Sequence, residues 1–147
     1  MVMRPYPNSI ESERALLGGL LQDPELLTDI LEIVKPSDFY RPDHQALFEL
    51  MGQMVAAGDE IDMVTLPQRL MREGREERYG GVAYVAELPV YAPSTANLKH
   101  YARVIREQSV RRQLISTSEN LSNKAFDGPA DLGELLESAV KDIANLG

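Results

Sequence analysis

The residues with a claim to chemistry in this chain are two histidines, a cluster of arginines and a surplus of carboxylates. His44 and His100 each lack a second histidine within helical reach, and there is no cysteine, so neither a paired-histidine nor a thiolate zinc site can be read here. Beside Asp43, His44 reads as a surface or partly buried residue near the start of a helix. No GxxxxGK[ST] run occurs. RREGREERYGG mixes charges with glycines, but no Lys-Ser or Lys-Thr follows a glycine at the spacing a phosphate cradle needs. Glu11, Glu13, Asp23 and Glu25 fit helix caps and solvated faces, and no acid–base pair stands out. The sequence therefore points to no catalytic residue, cofactor site or metal site in this chain.

Arg103, Arg106, Arg111 and Arg112 form the one basic cluster in a chain of net charge −8. With Glu107 and Glu119 nearby, the plain reading is a solvated helix surface. The sharper one is a contact with an acidic partner or nucleic acid. The overall charge argues against the whole surface being a nucleic-acid platform, so any DNA contact must be local. A 44% apolar, 26% charged composition suits a globular fold. No apolar run approaches the length of a membrane span, the N-terminus has no secretion-type apolar region, and cysteine is absent, which together give the expectation of a soluble, cytoplasmic protein.

The cluster sits in the run 94–126, which is free of glycine and proline. Ser94 is the expected N-cap. At about 100° per residue, Leu98, Tyr101 and Ile105 share one face, while Leu114, Ser118, Leu121 and Ala125 share nearly the opposite one. Between them, in residues 107–113, Val110 is the only apolar residue, and water is the expected neighbour. A helix of roughly 45 Å, at about 1.5 Å per residue, outruns a small core. Its first half should pack on a head and its second half project.

An extended arm, residues 1–8, precedes the head. A first helix is capped by Asn8 with Glu11, or by Ser9, and its Gly18 and Gly19 are expected where another backbone comes close. Further helices open at Pro24 and Pro42 and near Asp62 or Thr65, with a short one near 82–88 ended by Pro89. No stretch alternates long enough for a sheet, so the fold class is all-α. After the Asp127-Gly128-Pro129 turn, Asp131 and Glu134 cap a last helix carrying Leu132, Leu135, Leu136, Ala139, Val140 and Ile143 at spacings of three and four. The two final helices form an antiparallel hairpin that cannot bury both its stripes. A second hairpin from another copy, making a four-helix bundle, is the economical cover, so a homodimer is expected. The units are thus arm 1–8, head 9–106 and hairpin 107–147, the long helix shared between the last two.

Four segments in order, SIESERALLGGLL, DFYRPDHQALFELM, GGVAYVAEL and NLKHYARVIREQSVRRQLI, resemble the N-terminal domain of DnaB-type bacterial replicative DNA helicases over nearly the whole chain. No segment is specific alone. FYRP with His44 and Phe48, followed later by NLKHYARVI, is distinctive in combination. The resemblance implies a helical head with a hairpin, and a parent enzyme whose ATP- and magnesium-binding domain lies C-terminal to it. A chain ending just past the hairpin then looks like a separated, non-catalytic domain. It further implies pairing through the hairpin, a collar that is a trimer of dimers on a hexamer encircling single-stranded DNA, and docking of primase. Carried over, Leu114, Ile115, Leu121, Leu135, Leu136, Val140 and Ile143 fall on the hairpin that resembles the dimer and primase surface, and Val110, Ala125, Leu132 and Ala139 of the same hairpin complete the candidate interface. The rival is an independent helical adaptor, such as a primase-type helicase-binding domain.

Overall fold

The computed structural model describes residues 4–128 and 131–147; Pro129 of the expected turn and the tip of the arm lie outside these. Seven α-helices are present among the described residues, with no strand: α1 Ile10–Gln22, α2 Leu27–Leu31, α3 Pro42–Ala56, α4 Thr65–Glu73, α5 Val82–Glu87, α6 Leu98–Asp127 and α7 Leu132–Ala144.

The head is built around α1. Ser9 caps it, its hydroxyl accepting from Ser12 N. Every residue from Ala15 to Leu21 is buried, so this helix is the centre of the core, and Leu47, Phe48 and Met51 of α3 close over it. Both glycines are explained by close approach. A Cβ at Gly18 would lie 2.0 Å from the Leu88 carbonyl oxygen, and one at Gly19 would lie 2.3 Å from Leu98 Cδ2. Gln22 fastens the same contact by donating to the carbonyls of Pro89 and Ala92.

Several local expectations shift. The α-helix α5 does end just before Pro89, but the chain goes on into a tight 3-10 turn, Leu88–Tyr91, with Pro89 in its first residues, where its missing N–H is no loss. The polar REERYGG stretch holds a second such turn, Glu76–Tyr79, because Tyr79 is drawn into the core. Ser94 is not the cap of α6. Its hydroxyl accepts from Ala96 N in a local turn, and the helix starts at Leu98, the residue seated against Gly19. From there α6 runs 30 residues to Asp127. It closes on Gly128, whose φ of 64° favours glycine. Asp131 then caps α7, accepting from Glu134 N. The two helices pack antiparallel, and Gly147 returns to a cleft beside Lys35, Asp38 and Arg106 of the head.

Candidate assembly interface

The hairpin leaves much of its apolar surface open. No side chain of α7 is fully buried. Leu135 and Ala139 are half-buried, whereas Leu132, Leu136, Val140 and Ile143 are 66%, 58%, 69% and 51% exposed. Those four recur at intervals of four, four and three, one continuous stripe. On α6, Val110, Ile115 and Leu121 are half-buried, while Leu114 and Ala125 are exposed. Phe126, 87% exposed, also lies in this region and was not among the expected interface residues; its position beside the helix end was the available signal. The cleft that opens between the two helices is lined mostly by polar residues, among them Thr117, Asn120, Asn123, Asp142 and Asn145. The apolar stripe of α7 lies on its other flank. Ile115 has a different neighbour from the rest, since it lines a groove with Tyr6 and Pro7 of the arm.

The four arginines do not act as one patch. Arg103 is exposed, and Arg111 pairs with Glu107 one turn earlier, both well exposed, as a solvated helix surface should. Arg106 and Arg112 turn inward. Arg106 Nη1 donates to Asp38 Oδ1 at 2.9 Å, and Arg112 donates to the carbonyls of Asp38 at 2.7 Å and Pro7 at 2.8 Å. Ser109, 3% exposed, donates from its hydroxyl to the same Asp38 oxygen. The expectation that residues 107–113 meet only water is thereby corrected. At 100° per residue, Ser109 and Arg112 continue the face of Leu98, Ala102 and Ile105, so the head stripe carries on in polar form for two more turns.

A second polar group ties the head together. Glu13, expected at a cap or on a solvated face, and His44, expected at the surface or partly buried, are both fully buried. His44 Nδ1 lies 2.7 Å from Glu13 Oε1, and its Nε2 lies 2.7 Å from the Tyr84 hydroxyl. An ionised carboxylate can only accept, so Nδ1 carries the proton toward Glu13. The other Glu13 oxygen accepts from Tyr40 N at 2.7 Å. A carboxylate, imidazole and hydroxyl in line is an arrangement that elsewhere relays protons. Here His44 is 0% exposed and the Arg41 guanidinium stacks on the Tyr84 ring, so the group works as a clamp between α1, α3 and α5. Arg41 also forks onto Asp43. Burial pushes the Asp43 carboxyl up, but the Arg41 bonds, the charge of His44 and the backbone N–H of His44 together hold it below the usual value. Glu13 and His44 were missed for one reason: their partners are 27 to 40 positions away. A hint was present, since Glu13 and His44 stand on the apolar stripes of their helices, with Leu16 and Leu17, and with Leu47 and Phe48.

The hairpin thus presents an open apolar flank above a root held to the head by polar contacts with Asp38. The sequence model of the DnaB-like helicase N-terminal domain matches residues 6–107. The chain belongs to that family. Relatives of this DnaB-like domain include the replicative DNA helicase DnaB of Geobacillus stearothermophilus, 37% identical over 137 residues. The replicative DNA helicase DnaC of Bacillus subtilis is 32% identical over the same length. Each alignment takes in 93% of this chain and 30% of the relative, so the chain spans under a third of these helicases. Among solved structures, the N-terminal domain of DnaB helicase from Mycobacterium tuberculosis superposes with a TM-score of 0.86 at 30% identity, covering 96% of this chain and 99% of that one. A DnaB-like replicative helicase whose structure was described together with its interactions with primase shares the fold, with a TM-score of 0.77 at 21% identity over 95% of this chain and 32% of that one. Family membership favours the helicase reading over the independent adaptor. No helix among the described residues is long and apolar enough to cross a membrane.

Proposed function

We propose that this chain is the assembly and recruitment domain of a hexameric, ATP-dependent replicative DNA helicase working in the cytoplasm. The observation that carries the reading is the open stripe of Leu132, Leu136, Val140 and Ile143 on a DnaB-like domain. Fully covering a side chain of this kind contributes about 1.5–3 kcal/mol, so a stripe repeated on two copies can drive association. The units of function are the arm 1–8, the head 9–106 and the hairpin 107–147, with Ser109 and Arg112 as rivets across the boundary.

In this reading Val110, Leu114, Leu121, Ala125, Leu132, Leu135, Leu136, Ala139, Val140 and Ile143 form the seam of a homodimer, and Ile115 joins it beside the arm. Three such dimers make a collar around single-stranded DNA. The outer hairpin surface holds primase, a partner suggested by the relative described with it. Arg103 and Arg111 are the outward charges available to such a partner. The sequence has no GxxxxGK[ST] phosphate loop, and in this reading ATP and magnesium are assigned outside this domain. Hydrolysis belongs to another part of the parent protein.

Light scattering and titration calorimetry with the helicase-binding domain of the cognate primase test this. Wild type should scatter as a dimer or larger and bind primase. Leu121→Asp with Val140→Asp should be monomeric and bind weakly, because a carboxylate buried in an apolar seam costs several kcal/mol. Equal masses and equal primase affinity in two folded proteins would refute the proposal.

A further inference from the structure

The head holds the root of α6 through one buried carboxylate. Asp38 ends the tight turn Pro36–Asp38 and is 1% exposed. Its Oδ2 accepts from Lys35 N at 2.9 Å, which closes the turn on itself. Its Oδ1 accepts from Arg106 Nη1 at 2.9 Å and from Ser109 Oγ at 2.8 Å, and its carbonyl accepts from Arg112 Nη2 at 2.7 Å. Three α6 residues, spaced by three, converge on one residue of the head. Arg112 reaches on to Pro7 and lies over the Tyr40 ring, so arm, turn and helix meet at the same node.

Before the node, α6 is gripped by buried Leu98, Ala102 and Ile105; after Ser109, none of its side chains is fully buried. Asp38 is therefore the last fixed point before a cantilever that runs from Gln113 to Asp127, roughly 22 Å at 1.5 Å per residue. By the same geometry, 10° of slack at the node moves the far end by roughly 4 Å, enough to take an apolar stripe out of register with its mate. A buried charge is a poor way to gain stability but a good way to select one arrangement, provided both carboxylate oxygens are hydrogen-bonded, as here.

We propose that Asp38 is a positioning residue for assembly: it sets the direction in which the hairpin leaves the head, and so the geometry of whatever forms through the hairpin. The inference builds on the assembly reading of the hairpin. Asp38→Asn keeps the shape but removes the charge that holds Arg106 and Ser109 together. The chain has no cysteine, so Gln53→Cys on the head and Ser122→Cys on the hairpin give one clean pair of spin labels. With labelled protein diluted in unlabelled protein, electron–electron resonance reports the intrachain distance.

Wild type should give a narrow distribution. Asp38→Asn should broaden it and weaken the dimer about tenfold, equal to about 1.4 kcal/mol. Ser109→Ala, a milder change that removes one donor, should broaden it less while leaving the melting of the head in place. Distributions as narrow as wild type in both variants would overturn the inference. Failure of the assembly reading shows up separately, as a wild type that stays monomeric in light scattering, and the widths still decide the role of Asp38.

Discussion

Head and hairpin are written in the same helical pattern but close it differently. In the head, Leu16, Leu17, Leu20, Leu47 and Phe48 are wholly buried by other residues of the same chain. In the hairpin, α7 has an equally regular stripe and no fully buried residue. A periodic stripe in a sequence says that a face wants cover, and says nothing about whether its own chain supplies it. What separates the two regions is the number of elements around them. Four tight turns and the first half of α6 pack on α1 and α3, whereas α7 has α6 on one side.

The largest effect that should separate the regions comes from Phe48→Ala, which leaves a cavity in the head and should cost about 3–5 kcal/mol in urea unfolding. Leu136→Ala, of similar chemistry on α7, should leave monomer unfolding within about 0.5 kcal/mol, as for a surface site. Equal losses at the two positions would break the comparison. Next, Gly18→Ala should cost about 1–3 kcal/mol or more, since its Cβ meets a backbone oxygen that cannot withdraw. Gly52→Ala, whose Cβ would meet only Leu31 Cδ2 at 4.0 Å, should instead stabilise α3 by about 0.5–1 kcal/mol. The same urea series reads both signs.

The smallest effect is on pH. The Asp43 carboxyl lies below its unfolded value, near 3.9, so its contribution is complete above that value and is lost as pH falls through the folded one. Thermal melting of the head should therefore change little on this account from pH 7 to about 5 and decline below about 4. Asp43→Asn should flatten part of that decline, and an identical acid profile in the variant would remove Asp43 from the account.

How much could be read in advance follows the range of the interactions. Caps and breakers act over three or four residues: Asp131 and Gly128 take the roles their positions suggested, and at α1 the alternative cap Ser9 holds the place of Asn8, whose amide donates to the Tyr6 carbonyl instead. The close approach at Gly18 was legible for a different reason: adjacent glycines inside a helix mark room for another backbone, even though the one that arrives, at Leu88, lies far along the chain. Ser94 was misjudged because two local turns compete for one hydroxyl, and the seat of Leu98 on Gly19 decides between them. The polar interval of α6 misled for a deeper reason. Ser109 and Arg112 have the composition of a solvated surface, and only the turn at Asp38, more than seventy positions earlier, makes them part of the interior. Glu13 and His44 were likewise completed by residues from other helices.

The central claim is that the open stripe belongs to the hairpin's function while the rest of the surface does not. Sedimentation equilibrium of wild type, Leu136→Asp on α7 and Met71→Asp on the head tests it most directly, because Leu136 and Met71 are similarly exposed, 58% and 56%. The account predicts that wild type and Met71→Asp associate alike and that Leu136→Asp sediments as a monomer with its head still folded. Association unchanged in Leu136→Asp, or lost equally in Met71→Asp, would contradict it.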